Sequence, residues 1–314
     1  MREWQATLVL DARAELAECP LWSVAEQCLY WIDIAGRRLH RYDPATKLDR
    51  VWWVPCEPGC IALADGGGLV AALRDGFYRF YPEQSRLHKL AEAPYDTLDT
   101  RFNDGRCDAS GRFWAGAMYQ PRTSEQAAMF CLEQGTVRPG WGPQDSPEQN
   151  FGVKVSNGLA FTADGGALFQ SDTPNHVIYR FGFDAATGQV GERSVFARLP
   201  VKGEEAVYGG RPDGAAIDME GCYWSAQYEG GRVLRFSPDG EIIGVVHVPV
   251  LRPTMIAFGG ADLRTLYITS AREGAAEEEL ARQPQAGGIF AVRLDVAGRP
   301  EPLYRDAPTH KEPS

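Results

Sequence analysis

The chain is expected to be all-β and to fold as a six-bladed β-propeller, and three observations carry this expectation. A strand-forming unit recurs six times, starting at Leu29 (LYWIDI), Leu69 (LVAALR), Arg112 (RFWAGA), Leu168 (LFQSDT), Cys222 (CYWSAQ) and Leu266 (LYITSA), at intervals of 40, 43, 56, 54 and 44 residues. Turn-forming residues precede every copy, and a strand rich in aromatic and β-branched residues follows each after a loop. A period of roughly 40–50 residues built of short strands marks a propeller with one four-stranded blade per repeat.

Taken in order, residues 4–11 (WQATLVLD) read as a strand ahead of the first repeat, placed to complete the last blade and close the ring. The turns are VAEQ, ADGGG, DASG, ADGG, MEG and GGADLRT, in which Gly, Asp and Asn supply the backbone conformations that reverse a chain. The strands that follow are RLHRYD, GFYRFY, AMFCLE, VIYRFGFD, RVLRFSPDG and GIFAVRLD. Two longer gaps, PGWGPQDSPEQNFG and ARLPVKGEEAVYGG, read as loop insertions. Residues 274–282 (GAAEEELAR) combine good helix formers with a Pro soon after, and form the one helical stretch. Residues 1–308 are expected to make a single propeller and 309–314 a flexible tail, since no linker marks a second domain.

Composition narrows the function classes. A formal net charge of −10 argues against nucleic acid, whose phosphates call for basic patches, and agrees with simple solubility. No apolar run is long enough to span a membrane, and the N-terminus MREWQATLVLDARAEL has no apolar core followed by a cleavage site. Seven cysteines at irregular spacing match no disulfide framework, which fits a reducing, cytoplasmic setting. CEPGC (Cys56, Cys60) has no second ligand pair to complete a zinc site.

The repeat centred on RFNDGRCDASGRFWAG, Arg101 to Gly116, points to the chemistry. Nine or eleven residues before the six aligned strands stand Glu18, Cys60, Asn103, Asn157, Asp213 and Met255. Nine and eleven differ by two, which keeps a side chain on the same face of a strand. Innermost strands of a propeller line its channel, so Glu18, Asn103, Asn157 and Asp213 should converge on the axis. Singly, Asn-Asp-Gly, Asn-Gly and Asp-Gly are ordinary turn dipeptides; their equivalence across four repeats singles them out. Glu18, Asn157 and Asp213 offer two carboxylates and an amide oxygen, a set suited to Ca²⁺, Mg²⁺ or Mn²⁺. Three protein ligands leave positions for water and substrate, as at a catalytic metal; an ion that merely pins the blades is the other reading.

With these residues in view, the chain resembles the gluconolactonase and regucalcin (senescence marker protein) family over nearly its whole length. The segments that carry the likeness are AECPLWS with WIDI, RFNDGRCDASGRFWAG, VSNGLAFTADG, RPDGAAID with GCYWSA, and FGGADLRTLYITSAR with AGGIF. The resemblance implies one divalent cation, Ca²⁺, Zn²⁺, Mg²⁺ or Mn²⁺, at the central channel, held by Glu18, Asn157 and Asp213. It implies hydrolysis of an aldonolactone to the aldonic acid, with Asp213 as general base and Asn103 near the metal or its water. Arg101, Asn103 and Tyr119 are implied to contact the sugar lactone. The protein is then expected to be a monomer or weak homo-oligomer.

One departure stands out. Some family members carry a sugar-binding glutamate just after the segment matching AGAM, where this chain reads Tyr119, Gln120, Pro121, Arg122, with Glu125 the next acid. Loss of that acid and gain of Arg122 favour a substrate with an anionic group; a surface arginine is the plainer reading. Asp172-Thr173, Tyr228-Glu229 and Arg272 follow the aligned strands and are expected away from the ring. His176 and His247 read as structural, and Trp52-Trp53 as packing between strands. Two other functions fit less closely: an arylesterase- or phosphotriesterase-like propeller hydrolase, and a non-catalytic calcium-binding protein.

Overall fold

The computed structural model describes residues 1–142, 152–203 and 207–306. Most of the first loop insertion, part of the second and the expected tail at 309–314 lie outside the described residues. Six sheets, each built on four antiparallel strands and one of them with a fifth, follow one another around an axis as a six-bladed β-propeller. The innermost strands are Ala17–Ser23, Pro58–Leu63, Thr100–Cys107, Ser156–Phe161, Arg211–Ile217 and Pro253–Gly259. Each aligned copy of the repeat forms the second strand of its blade.

An aromatic pair occupies every seam between blades. Trp52 meets Phe80 edge-on at 5.5 Å, Phe77 meets Phe102 at 4.6 Å and Trp114 meets Phe183 at 5.9 Å. Phe169 and Tyr223 lie 4.9 Å apart, Trp224 and Phe258 6.0 Å, and Trp22 stacks on Tyr267 at 5.5 Å across the closing seam. These spacings are those of favourable offset and edge-to-face ring pairs. Trp52 packs as expected, whereas Trp53 is exposed, with the Arg38 guanidinium 5.4 Å from its ring.

Buried aspartates lock two of the turns. Asp108 accepts from the backbone N–H of Ser110 and Arg112, from Arg112 Nε and from Trp114 Nε1. Asp218 does the same for Glu220, Cys222, Trp224 and Arg235. The pattern is visible in DASGRFW and DMEGCYW: Asp caps the reversal through local backbone bonds and reaches forward to the indole of the next strand.

The N-terminal segment closes the ring in two pieces. Thr7–Leu10 pairs antiparallel with Ile289–Arg293 and completes the sixth blade, and Arg2–Gln5 adds a parallel fifth strand beyond Ile242–His247 of the fifth. The break falls at buried Ala6, whose N–H binds the carbonyl of His247. The helix is shorter than expected, Glu277–Arg282, because Gly274 takes a left-handed turn (φ 76°) and Ala276 is extended.

Residues 297–306 cross the end of the channel where the inner strands finish. Ala297 accepts from Met219 N, Gly298 donates to Leu263, Tyr304 exchanges backbone bonds with Leu63 and Asp65, and Arg305 donates to Gly111. In the middle of this strap Glu301 pairs with the buried Arg106. Arg106 also donates to the carbonyls of Leu159 (3.0 Å) and Ala215 (2.7 Å), on the fourth and fifth blades. Between strap and ring remains a cavity of about 10 Å³ lined by Cys19, Gly105, Met255 and Glu301, room for about one water.

Candidate active site

Every inner strand carries a one-residue β-bulge near its start: after Glu18, Pro58, Phe102, Asn157, Pro212 and Pro253. A bulge bends the strand and re-aims its side chains, and here it does so at the level of the expected ring. Asn103 and Asp104 lie within the third blade's bulge and Asp213 within the fifth's, while Glu18 and Asn157 immediately precede theirs. Strand pairing refines the ring in the second and sixth blades. Leu69 pairs with Leu63 and Leu266 with Phe258, so four residues before the paired residue, where Asn157 stands before Phe161, these blades hold Gly59 and Thr254; the same count gives Asp104 in the third blade and Gly214 in the fifth, next to Asn103 and Asp213. A side chain at Gly59 would strike the backbone of Phe102 at 2.4 Å, and Thr254 donates to Ala17 O at 2.5 Å. Neither adds a charged group to the axis.

Asn103 and Asn157 belong to one connected hydrogen-bond set. Asn103 donates through Nδ2 to Asn157 Oδ1 at 2.7 Å and to Ser156 O at 2.9 Å, while its Oδ1 accepts from Arg101 Nη1 at 2.9 Å. Asn157 Nδ2 donates to Thr173 Oγ1 at 2.8 Å, and that hydroxyl donates to Pro212 O at 2.7 Å. Thr173 is therefore a prop of the ring and does not lie away from it as expected. The loop after the second strand folds back over the start of the inner strand, a return that repeat spacing does not reveal. Tyr119 stands half-buried at the rim, opposite Thr100.

Asp104, which sequence reasoning passed over as a turn residue, is the third carboxylate of the site. Its backbone is left-handed (φ 47°), and its oxygens accept from Gly105 N at 2.7 Å and Leu159 N at 2.9 Å, tying the third blade to the fourth. Its only signal was its place beside Asn103.

Electrostatics show what the carboxylates lack. Burial, then the charges of Asp213 and Asp104, push Glu18 well above the usual carboxylate range. Burial and then Asp104 push Asp213 up to about 8, and burial pushes Asp104 up to about 6. The Glu18 carboxylate accepts from the N–H of Cys19 at 3.3 Å, and no ion pair within 4.0 Å joins Glu18 or Asp213 to a cationic side chain among the described residues. Arg101 acts on both Glu18 and Asp213 and Arg211 on Asp213, yet the raised proton affinity persists; mutually repelling carboxylates of this kind are what a divalent cation would neutralise. Glu18, Asn157 and Asp213 thus fit the expected donor set: two carboxylates and an amide oxygen that has a lone pair beyond the one Asn103 occupies. Among the described residues no group of three or more His, Cys, Asp or Glu is placed to hold a metal ion, Glu18, Asp104 and Asp213 included, so the candidate set depends on the Asn157 amide oxygen. All seven cysteines are free; Cys56 donates to Asp75 at 3.0 Å, and Cys60 is fully buried.

Residues 16–272 match the SMP-30/gluconolactonase/LRE-like region. The chain is 47% identical over 292 residues to a 6-deoxy-6-sulfogluconolactonase of Pseudomonas putida, covering 92% of this chain and 94% of that protein. It is 35% identical over 291 residues to regucalcin of Gallus gallus, covering 92% and 94%. The crystal structure of a calcium-binding protein, regucalcin, from Agrobacterium tumefaciens superposes with a TM-score of 0.88 at 28% identity, covering 97% of this chain and 99% of that one. A six-bladed propeller with polar residues on the bulges of its inner strands, matched over nearly its full length by these proteins, belongs to the SMP-30/gluconolactonase family.

Proposed function

We propose that the protein is a metal-dependent sugar lactonase that hydrolyses an aldonolactone to the aldonic acid. The observation that carries this reading is the pair of carboxylates without a direct ion-pair partner, half-buried Glu18 and buried Asp213, each with a raised proton affinity, which stand with Asn157 at strand bulges at one end of a channel. Family membership and a 47%-identical relative named for lactone hydrolysis support it. Glu18, Asn157 and Asp213 would hold one divalent cation; Ca²⁺, Zn²⁺, Mg²⁺ and Mn²⁺ are the candidates. The chemistry such a cation supplies when bound is polarisation of the lactone carbonyl and acidification of a water.

The chain's own residues do the rest. Asp213, a carboxylate beside the proposed cation, takes the proton of the attacking water as general base. Water oxygen adds to the carbonyl carbon, the ring C–O bond breaks, and the ring oxygen leaves as a hydroxyl after receiving that proton. Asn103 orients Asn157 and Arg101 through its three hydrogen bonds and stands beside the water. Arg101 and Tyr119 contact the sugar. Arg106, Glu301 and the strap close the far end, so substrate and water come from the face where the inner strands begin. The setting proposed is the cytoplasm.

The test is acid release by metal-stripped protein from a panel of five- and six-carbon aldonolactones, each cation restored in turn. Metal-restored turnover supports the reading. Bound metal with no turnover of any lactone overturns it, and turnover confined to aryl esters or phosphotriesters selects a different hydrolase.

A further inference from the structure

The loop after the third blade's second strand holds Gln120, Arg122 and Glu125, and its polar side chains are drawn in three directions. Gln120 Oε1 accepts from Arg74 Nη2 at 2.9 Å, and Arg74 is itself held by both oxygens of Glu57 at 3.0 and 3.2 Å. Glu125 accepts from Asn175 at 3.3 Å, on the fourth blade beside Asp172. Arg122 folds back on the second strand of the blade. Its Nη2 lies 3.6 Å from Met118 Sδ, and Met118 is the cross-strand partner of Arg101. The backbone of Arg122 is left-handed (φ 56°), a conformation uncommon outside glycine that directs the side chain back over the strand.

Arg101 and Arg122 therefore flank one another at the mouth of a chain whose net charge is −10. Arg101 is 7% exposed and bonds only the Phe102 carbonyl and Asn103 through Nη1. Among the described residues neither guanidinium has a carboxylate within 4.0 Å. Burial lowers Arg101 to about 10; the charges of Glu273 and Glu18 oppose the lowering, and those of Arg74 and Arg122 add to it. A guanidinium fork matches a tetrahedral oxyanion, and two forks set side by side favour one over neutral hydroxyls.

We propose that Arg122, with Arg101, forms a subsite for a tetrahedral oxyanion, a sulfonate or phosphate, carried on the exocyclic carbon of the lactone. This deepens and rests on the lactonase reading. Arg122 is the specificity-determining residue, and the absence of a carboxylate within 4.0 Å of either guanidinium among the described residues is what leaves the subsite cationic.

The test compares kcat/KM for gluconolactone, 6-deoxy-6-sulfogluconolactone and 6-phosphogluconolactone in the wild type, R122A and R122E, whose altered side chain is exposed and outside the core. The wild type should favour an anionic lactone by about tenfold or more, as expected of a charge-assisted contact, and added salt should shrink the preference. R122A should remove most of that ratio through KM of the anionic lactone, and R122E should invert it. The sulfonate and phosphate arms identify which oxyanion fits. Equal treatment of neutral and anionic lactones by the wild type, or a ratio unmoved in R122A, overturns the subsite. Should no lactone be hydrolysed, the lactonase reading fails by itself; calorimetric binding of 6-deoxy-6-sulfogluconate, lost in R122A or retained, then decides the subsite alone.

Discussion

Asn103 donates to Asn157 across 2.7 Å, joining the bulge of the third blade to that of the fourth. The bond fixes which way the Asn157 amide faces, and Arg101 is held from the other side of the same Asn103. A residue that orients a ligand acts on affinity as well as rate. Asn103→Ala should weaken cation binding by roughly tenfold and lower kcat as well. Calorimetric titration of the metal-stripped variant reads the first effect; wild-type affinity would remove Asn103 from the role of orienting the ligand.

Asp213→Asn keeps the shape of the side chain while removing its charge and its capacity as a base. Turnover should fall by about a hundredfold or more. The metal-free variant should melt no lower than the metal-free wild type, because a buried charge without a partner has been removed. Retained turnover above about a tenth of wild type would sink the mechanism.

The raised carboxylates set a pH dependence of opposite sign to ordinary acid denaturation. Asp213 at about 8 and Asp104 at about 6 lie above the unfolded carboxylate value of about 4, so the folded metal-free chain binds more protons than the unfolded one across that window. Their contribution to stability is fully present below about pH 4 and is lost as pH rises through about 8. Metal-free protein should therefore melt higher at about pH 6 than at about pH 8.5, and a saturating cation should narrow the gap by supplying counter-charge. Scanning calorimetry at the two pH values, with and without cation, checks this; a metal-free protein that melts higher at the alkaline value contradicts it.

Glu301→Ala leaves Arg106 charged and buried beneath the ring. Breaking a buried pair in this way costs about 3–5 kcal/mol, and chemical denaturation should show a loss of that order. Lactone turnover should persist, since the strap lies at the closed end of the channel. Wild-type stability would mean that the carbonyls of Leu159 and Ala215 suffice to hold Arg106.

Deletion of residues 1–12 should destabilise the whole propeller, because it strips the outer strand from the sixth blade and the added strand from the fifth. Deletion of residues 1–5 alone removes only the parallel strand and should do less. Melting should fall by about 10 °C or more for the longer deletion; equal melting of the full chain and both truncations would show that the ring closes without this segment.

The six repeats, their turns and the innermost strands were legible along the chain, because a strand's alternation and a turn's glycine or aspartate act over a few residues. The even spacing also marked out Glu18, Asn103, Asn157 and Asp213, each at or beside a bulge of its inner strand. Where side chains meet across the closed ring was a different matter. The division of the N-terminal segment at Ala6 between two blades depends on the geometry of the closing seam. Thr173 reaches the ring because its loop folds back, and Glu301 meets Arg106, 195 residues away in sequence, because the strap crosses the axis. Asp104 becomes a site carboxylate only when a bulge in the closed barrel of inner strands turns it toward Leu159. Local periodicity determined the blades and the level of the site; ring closure, which brings distant backbones together without leaving a sequence pattern, decided which groups share it.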